Sequence, residues 1–497
     1  MNFSFEKNCF VSKDIDANKI AIIASDITLT WVEFENQVNK LISLLEKLKI
    51  KKGEPIIIYG HKEASMLISK VAILKFGAVY VPSDIIFPEN RIKMMKEECG
   101  SSVLINCTNY KLLENQFDTI INLPAFEVIK NERNIVSVLE NKLDPQNPIS
   151  YVLFTSGSTG RPKGVPIARK GVEQFANWIS ADFNITKNDV LLNISSLSFD
   201  FASFDEYLFL SLGATIINVP SDTIKNSELF LEKIVEQKPT VWISTPGLAY
   251  IYLMDSKFNS NHLPSIKSFV FAGESLPLRT YQQLRLRFPD AFIWNAFGPS
   301  EATNLTTSIS LTDELIQKYN AIPIGYPKPQ SNVFIFDEDS EGVGEICIVG
   351  DHLTPGYLNN ELLNSEKFVQ INHKRTYKTG DQGYTRDGLL FYSGRNDDMV
   401  KLHGYRIELE DITSTIKDFP GVKNASTIGL KNKGETKKLI SFFTSDNEIR
   451  ASDLLLFCKS KLPEYMLPSE IIKIDQIPLN TSDKVDKKQL ETIYLTK

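Results

Sequence analysis

The sequence predicts an α/β protein, with a large N-terminal domain of mixed and parallel sheets covered by helices, a β-rich subdomain, and a small α+β C-terminal domain. Three observations predict it. Short β-branched runs alternate with helical spacing from Pro55 to about Gly298. Short strands broken by Gly and Asp turns fill Pro323 to Arg395. A new pattern of helices and a strand starts after Gly394-Arg-Asn-Asp397. A length of 497 residues exceeds the usual single-domain size, so a division into 1–395 and 396–497 is expected.

In chain order, the runs Pro55–Tyr59, Ser102–Ile105, Thr119–Asn122, Tyr151–Phe154, Val190–Ile194, Thr215–Val219, Thr240–Ile243 and Ser268–Phe271 read as buried strands. Between them, Val172, Phe175, Ala176 and Ile179 recur at helical spacing and place one apolar stripe on a helix. Alternating strand and helix imply a mostly parallel sheet covered on both faces, with ligands beyond the carboxyl ends of its strands. Past residue 397, Leu409, Ile412, Ile416 and Phe419 mark another helix, Leu439 to Thr444 a strand, and Ser452 the N-cap of a further helix.

Composition narrows the function classes. The hydrophobic fraction of 42% and charged fraction of 23% fit an ordinary soluble globular protein. A formal charge of -6 with no basic stripe argues against a nucleic-acid partner, and no apolar stretch is long enough to cross a bilayer. Five cysteines and five histidines fall into no metal-ligand spacing, and no secretory signal opens the chain, so a cytoplasmic location is expected.

One segment stands apart. The strand Tyr151–Phe154 runs into Thr155-Ser-Gly-Ser-Thr-Gly-Arg-Pro-Lys-Gly164, which packs three glycines and four hydroxyl side chains into ten residues. Glycines let backbone N–H groups approach phosphate oxygens, hydroxyls add donors, and Lys163 supplies a point charge. No Gly-Lys-Ser/Thr triplet ends the loop, so it is not a Walker loop.

This loop resembles the signature of the adenylate-forming superfamily. Further motifs of that superfamily follow in order: Phe76-Gly-Ala-Val-Tyr-Val-Pro82, Asn295-Ala-Phe-Gly-Pro-Ser-Glu301, Gly344-Glu-Ile, Tyr377-Lys-Thr-Gly-Asp381, Gly394-Arg-Asn-Asp397, Lys401-Leu-His-Gly-Tyr-Arg-Ile-Glu408 and Lys484-Val-Asp486. Within it the chain is similar to stand-alone amino-acid activators, particularly D-alanine–D-alanyl carrier protein ligases. The resemblance implies that the chain joins a carboxylic acid to AMP with loss of pyrophosphate and then passes the acyl group to a thiol. The substrate's own carboxylate is the nucleophile in such a reaction, so no Ser-His-Asp or Cys-His arrangement is needed, and catalysis rests on placing charge.

By resemblance, ATP is contacted by Thr155, Ser156, Gly157, Ser158, Thr159, Gly160, Lys163, Asn295, Ala296, Phe297, Asp381, Arg395 and Lys484. Glu301 holds Mg²⁺, Ser300 approaches the α-phosphate, Phe297 stacks on adenine, and Asp381 accepts the ribose hydroxyls, with Arg395 nearby. Lys484 is the adenylation lysine, preceded by Asp483 where the family normally has Gly. Asp397 is the hinge of the C-terminal domain, and Gly404 lines the tunnel for a phosphopantetheine thiol.

Amino-acid contacts carried over in the same way are Asp200, Phe201, Phe204, Ser244, Val270, Ala272, Ala296 and Asn304. Asp200 matches the carboxylate that pairs with an α-ammonium group. Read alone, it also fits a cap for a helix starting near Ser203. Two phenylalanines beside a small floor imply a small or medium, largely apolar side chain. D-Alanine ligases usually have Cys in place of Ala272 and smaller aliphatic residues in place of Phe201 and Phe204, so L-alanine, proline, threonine and nonproteinogenic acids stay open. No Ser-bearing carrier module follows Lys488, so the carrier protein is expected in trans. A small-acid CoA ligase and a non-catalytic adenylate-binding relative are the alternatives at this point.

Overall fold

The computed structural model describes residues 3–6, 10, 15–108, 110, 116–131, 147–156, 161–395, 399–432, 435–478 and 485–496. Gly157, Ser158, Thr159, Gly160, Asp397, Asp483 and Lys484 lie outside the described residues. The chain forms two compact units, one of 1–84, 99–153 and 165–396, the other of 85–98, 154–164 and 397–497.

In the larger unit the expected parallel strands divide between two sheets. A seven-stranded sheet runs, in spatial order, through Glu127–Asn131, Thr119–Asn122, Val103–Asn106, Pro55–Gly60, Val79–Asp84, Ile149–Thr155 and Lys163–Ala168. A nine-stranded sheet takes Tyr326–Pro327, Thr307–Ser310, Phe292–Phe297, Ser268–Phe271, Val241–Ser244, Val190–Asn193, Thr215–Asn218, Ile20–Ile23 and Thr28–Thr30. Its inner neighbours are parallel and both flanks antiparallel. Strand–helix alternation predicts parallel pairing but not which strands share a sheet, and the structure assigns them to two.

Helices Trp31–Lys47, Ala64–Phe76, Arg169–Asp182 and Ala202–Leu212 share one apolar cluster with residues of both sheets, among them Ile56, Tyr80 and Ile105 of the first and Ile216, Ile243 and Val270 of the second. Ala64–Phe76 is buried through Leu74 and Ala202–Leu212 through Leu210, as befits helices that do not face water. The opposite face of the nine-stranded sheet packs on Ser227–Gln237, Pro246–Tyr252 and Leu278–Arg287. A five-stranded sheet built from Asn332–Phe336, Gly344–Val349, Phe368–Ile371, Lys374–Arg386 and Leu389–Arg395 forms the β-rich part of this unit.

The smaller unit has a hairpin, Met399–Leu402 with Tyr405–Glu408, and a three-stranded sheet of Asn424–Asn432, Glu435–Thr444 and Glu470–Lys473. Leu409, Ile412 and Ile416 bury one side of the helix Leu409–Lys417, while Phe419 falls just past its end. Ser452 is not an N-cap. The helix Ala451–Lys461 starts before it with Arg450 at the cap position, where the guanidinium grips Asp453 through two 2.9 Å hydrogen bonds. That ion pair occupies the Asp453 carboxylate at the first turn, and the Ser452 hydroxyl is left beside the same oxygen.

Candidate active site

Strand parity sorts the predicted amino-acid contacts. Ile243, Val270 and Trp294 are lateral partners on three adjacent strands. Ala296 follows Trp294 by two residues and Ala272 follows Val270 by two, so these side chains share a face. All belong to the apolar cluster that also contains Phe201 and Phe204. Phe204 is sealed against Phe183, whose ring lies 4.9 Å away and itself meets Trp294 at 4.7 Å. Ser244 is not brought to this group. It pairs laterally with Phe271 and faces the other side of the sheet, where it accepts the Trp242 indole N–H at 2.7 Å and donates to the Thr245 carbonyl.

Asp200 sits in the connection between the strand Val190–Asn193 and the helix Ala202–Leu212, at the carboxyl end of a parallel strand. Its carbonyl accepts the Ser203 amide and hydroxyl and the Asn304 amide, the last at 2.8 Å. Its carboxylate accepts the Phe201 amide on one oxygen and the Ser300 hydroxyl on the other. At the helix start the Asp200 carbonyl receives the Ser203 amide, while the carboxylate reaches the Phe201 amide and Ser300. Asn304 also donates to Ser203 Oγ at 2.9 Å.

Ser300 and Glu301 begin a 3₁₀ turn, Ser300–Ala302, that ends with Thr303 and Asn304 both at positive φ, 55° and 66°. A β-branched residue there is uncommon and holds only where its surroundings fix it. Thr303 is fixed by donating to the His352 carbonyl at 2.6 Å. Gly298 is required because a Cβ would lie 2.1 Å from the Asn304 carbonyl oxygen. Glu301 is fully buried, accepts the Tyr357 hydroxyl at 2.7 Å, and lends its own carbonyl to the Thr354 amide.

Asn295 and Phe297 alternate with Ala296 and so face away from the apolar cluster around Phe204. Asn295 donates to the Pro323 carbonyl at 2.8 Å, and Phe297 packs with Ile324, Ile346 and Leu390. Asp381 and Arg395 are lateral partners on neighbouring strands and form a buried ion pair at 2.7 Å, with the guanidinium also reaching the Thr379 carbonyl.

In the smaller unit, the buried Ser156 hydroxyl donates to the Arg406 carbonyl at 2.9 Å and accepts the Glu408 amide at 3.1 Å. Lys163 pairs with the Glu408 carboxylate at 3.1 Å. Thr155 Oγ1 is shielded from solvent and has no hydrogen-bond partner among the described residues. Gly404 and His403 both take positive φ, 83° and 53°, between the hairpin strands, which is the conformation a two-residue hairpin turn demands.

Sequence reasoning missed Tyr357, which holds Glu301, and Lys328, whose ammonium lies behind the 302–305 turn. Lys328 stands in Gly325-Tyr-Pro-Lys-Pro, where a lone Lys reads as a loop residue, and nothing in the spacing signals its burial. Burial holds its pKa down at about 7, and burial together with the Lys328 charge pushes His352 down to about 2, so that imidazole is neutral.

Residues 12–358 match the AMP-binding enzyme family. The chain belongs to that family. A D-alanine–D-alanyl carrier protein ligase of Listeria welshimeri is 36% identical over 485 residues, covering 93% of each protein. The ligase of the same name from Bacillus licheniformis is 33% identical over 484 residues, covering 95% of this chain and 96% of its own length. Among solved structures, the adenylation domain AlmE of Vibrio cholerae, in complex with glycyl-adenosine-5'-phosphate, has a TM-score of 0.86 at 21% identity and covers all of this chain and 98% of its own. PA1221, a peptide-synthetase protein with adenylation and carrier domains, has a TM-score of 0.77 at 22% identity over 95% of this chain and 81% of its own. These likenesses establish the adenylation-domain fold. No helix among the described residues is long and apolar enough to cross a membrane.

Proposed function

We propose that this protein activates a small amino acid as its aminoacyl-AMP, releasing pyrophosphate from ATP, and transfers the acyl group to the phosphopantetheine thiol of a separate carrier protein in the cytoplasm. The observation that carries the amino-acid reading is Asp200. Its carboxylate ends a parallel strand beside an apolar cluster and holds the Ser300 hydroxyl. A substrate ammonium supplies a stronger, charged donor to the same oxygen. A fatty or aryl acid would bring no charged donor to that carboxylate.

The remaining residues divide the work by chemistry. Asp381 offers paired oxygens to the ribose hydroxyls and is oriented by its 2.7 Å ion pair with Arg395. The loop 155–164 surrounds the phosphates with amides, hydroxyls and Lys163. Lys484 places an ammonium where negative charge grows between carboxylate and α-phosphate. Magnesium on a nucleotide is held by one or two carboxylates plus phosphate oxygens. Glu301, a buried carboxylate held by the Tyr357 hydroxyl, would supply that ligand. A metal bound there would supply charge neutralisation. The chain's part is to keep Glu301 fixed through Tyr357 and Thr354. Asp397 is the proposed hinge, and Gly404 the close-approach point for the pantetheine arm.

Phe201, Phe204 and Ala272 set the side-chain pocket, and relatives named for D-alanine make that amino acid the first to test. A pyrophosphate-exchange screen over L- and D-amino acids, followed by loading of a pantetheinylated carrier, decides the reading. One small amino acid should stand out. Asp200→Asn should raise its KM roughly a hundredfold by removing a charged partner, with ATP affinity little changed. Exchange with no amino acid, or equal turnover of simple carboxylates, overturns it.

A further inference from the structure

Three lysines of the larger unit are buried, and each gives hydrogen bonds to backbone carbonyls near the proposed amino-acid site. Lys70 reaches the Leu197 carbonyl, and Lys62 those of Asn193 and Ser195. Both keep acidic company: Lys70 pairs directly with Glu206, and Lys62 sits in the field of Asp205, Asp84 and Glu206. Lys328 differs. No described carboxylate pairs with it, and its side chain lies near the faces of Phe175 and Trp178, at 5.7 and 5.9 Å. Its ammonium donates to the Leu305 carbonyl at 3.0 Å and the Ala302 carbonyl at 3.3 Å, and its own amide to the Thr306 carbonyl at 2.8 Å.

Burying a cation with no counter-ion is expensive, and an apolar side chain of the same length would fill the space at lower cost. What the cation contributes is specific to its two acceptors. Ala302 and Leu305 bracket Thr303 and Asn304, the pair at positive φ, and the turn between them directs two carbonyls inward with no strand or helix to receive them. Beyond the turn, Asn304 holds the Asp200 carbonyl and Ser203, and Ser300 holds the Asp200 carboxylate.

We propose that Lys328 is a positioning residue for amino-acid recognition: its ammonium pins the 302–305 turn and, through Asn304, sets the place of Asp200. The inference rests on the reading of Asp200 as the ammonium acceptor. It assigns Lys328 no contact with either substrate.

The test is the KM for the amino acid and for ATP, measured separately by pyrophosphate exchange in the full-length wild type, Lys328→Met and Lys328→Gln. Lys328→Met removes both donors, and the amino-acid KM should rise about ten- to a hundredfold, the scale of a misplaced binding group. The ATP KM should stay within about twofold. Lys328→Gln keeps one neutral donor and should fall between the two. A lesion that only unfolds part of the sample lowers apparent kcat and leaves KM unmoved, so the KM split separates positioning from scaffolding. Should Lys328→Met not fold, as read by circular dichroism, Lys328→Gln decides alone. Unchanged amino-acid KM, or an equal rise in both, overturns the inference while the proposed function stands. A wild type without amino-acid-dependent exchange removes the function and the inference together.

Discussion

Around Asp200 and Glu301, functional side chains leave the ends of buried strands and are fixed by partners distant in sequence: Asn304 to Asp200, Tyr357 to Glu301, Arg395 to Asp381. Around Ser156 and Lys163, the partners are consecutive residues of one hairpin strand, Arg406 and Glu408. In the first arrangement, moving a buried member such as Glu301 or Asn304 would leave polar groups without their partners. Much of the second region's loop, with Lys484, lies outside the described residues. The described partners in the first region thus come from far along the chain, and those in the second from one hairpin strand.

The strongest way to break this comparison is Lys484→Ala. If catalysis depends on an ammonium that the larger unit does not contain, amino-acid-dependent exchange should fall roughly a hundred- to thousandfold while ATP and amino-acid affinities change little. Full activity in that variant would make the larger unit self-sufficient.

A glycine in each region sharpens it next. At Gly298 a Cβ meets backbone only, the Asn304 oxygen at 2.1 Å and the Thr306 nitrogen at 2.6 Å, so nothing can yield cheaply. Gly298→Ala should cost about 1–3 kcal/mol, the range for overpacking, and should raise the amino-acid KM. Gly404→Ala meets a different obstacle, a φ of 83°, worth about 1 kcal/mol. Its effect should fall on carrier loading, leaving exchange near wild type. Thermal melts and the two assays on both variants check the contrast.

How much of this was legible in the sequence follows the same line. Strands such as Val190–Asn193 and Ser268–Phe271 were read within a residue of their ends, because β-branched runs bounded by turns leave little choice. Which strands share a sheet was not, since pairing is decided by contacts far apart in the chain. Asp200 was singled out through its motif, and its hydrogen bonds to Ser300, Asn304 and Ser203 could not be read from spacing. Ser244 was misplaced because a motif carries positions and not the face on which a side chain emerges. Lys328 and Tyr357 were invisible for a related reason: burial and partner are properties of the folded chain, and one Lys or Tyr in a Pro-rich loop carries no period.

The buried cation behind the 302–305 turn predicts a smaller, pH-dependent effect. The Lys328 pKa is lowered to about 7 in the folded protein and stands near 10.4 in an unfolded chain. Between those values the unfolded state binds more protons, so this residue's contribution to stability improves as pH rises. Wild type should therefore gain melting temperature relative to Lys328→Met from about pH 7 towards pH 10, and the gap should stay constant below pH 6. A difference independent of pH would mean that the lysine keeps its proton throughout.

The smallest effect is expected at Ser156. Its hydroxyl ties the proposed phosphate loop to the hairpin by one donated and one accepted bond. Ser156→Ala leaves the Glu408 amide without its oxygen, a loss on the order of 1 kcal/mol, while the Lys163–Glu408 pair at 3.1 Å remains to hold the strand. Hydrogen exchange at the Glu408 amide should accelerate about fivefold, the rate equivalent of that energy, and the amides of Thr303 to Thr306 should not change. If they accelerate too, the two regions respond together, and the contrast between the proposed amino-acid site and the proposed phosphate loop is lost.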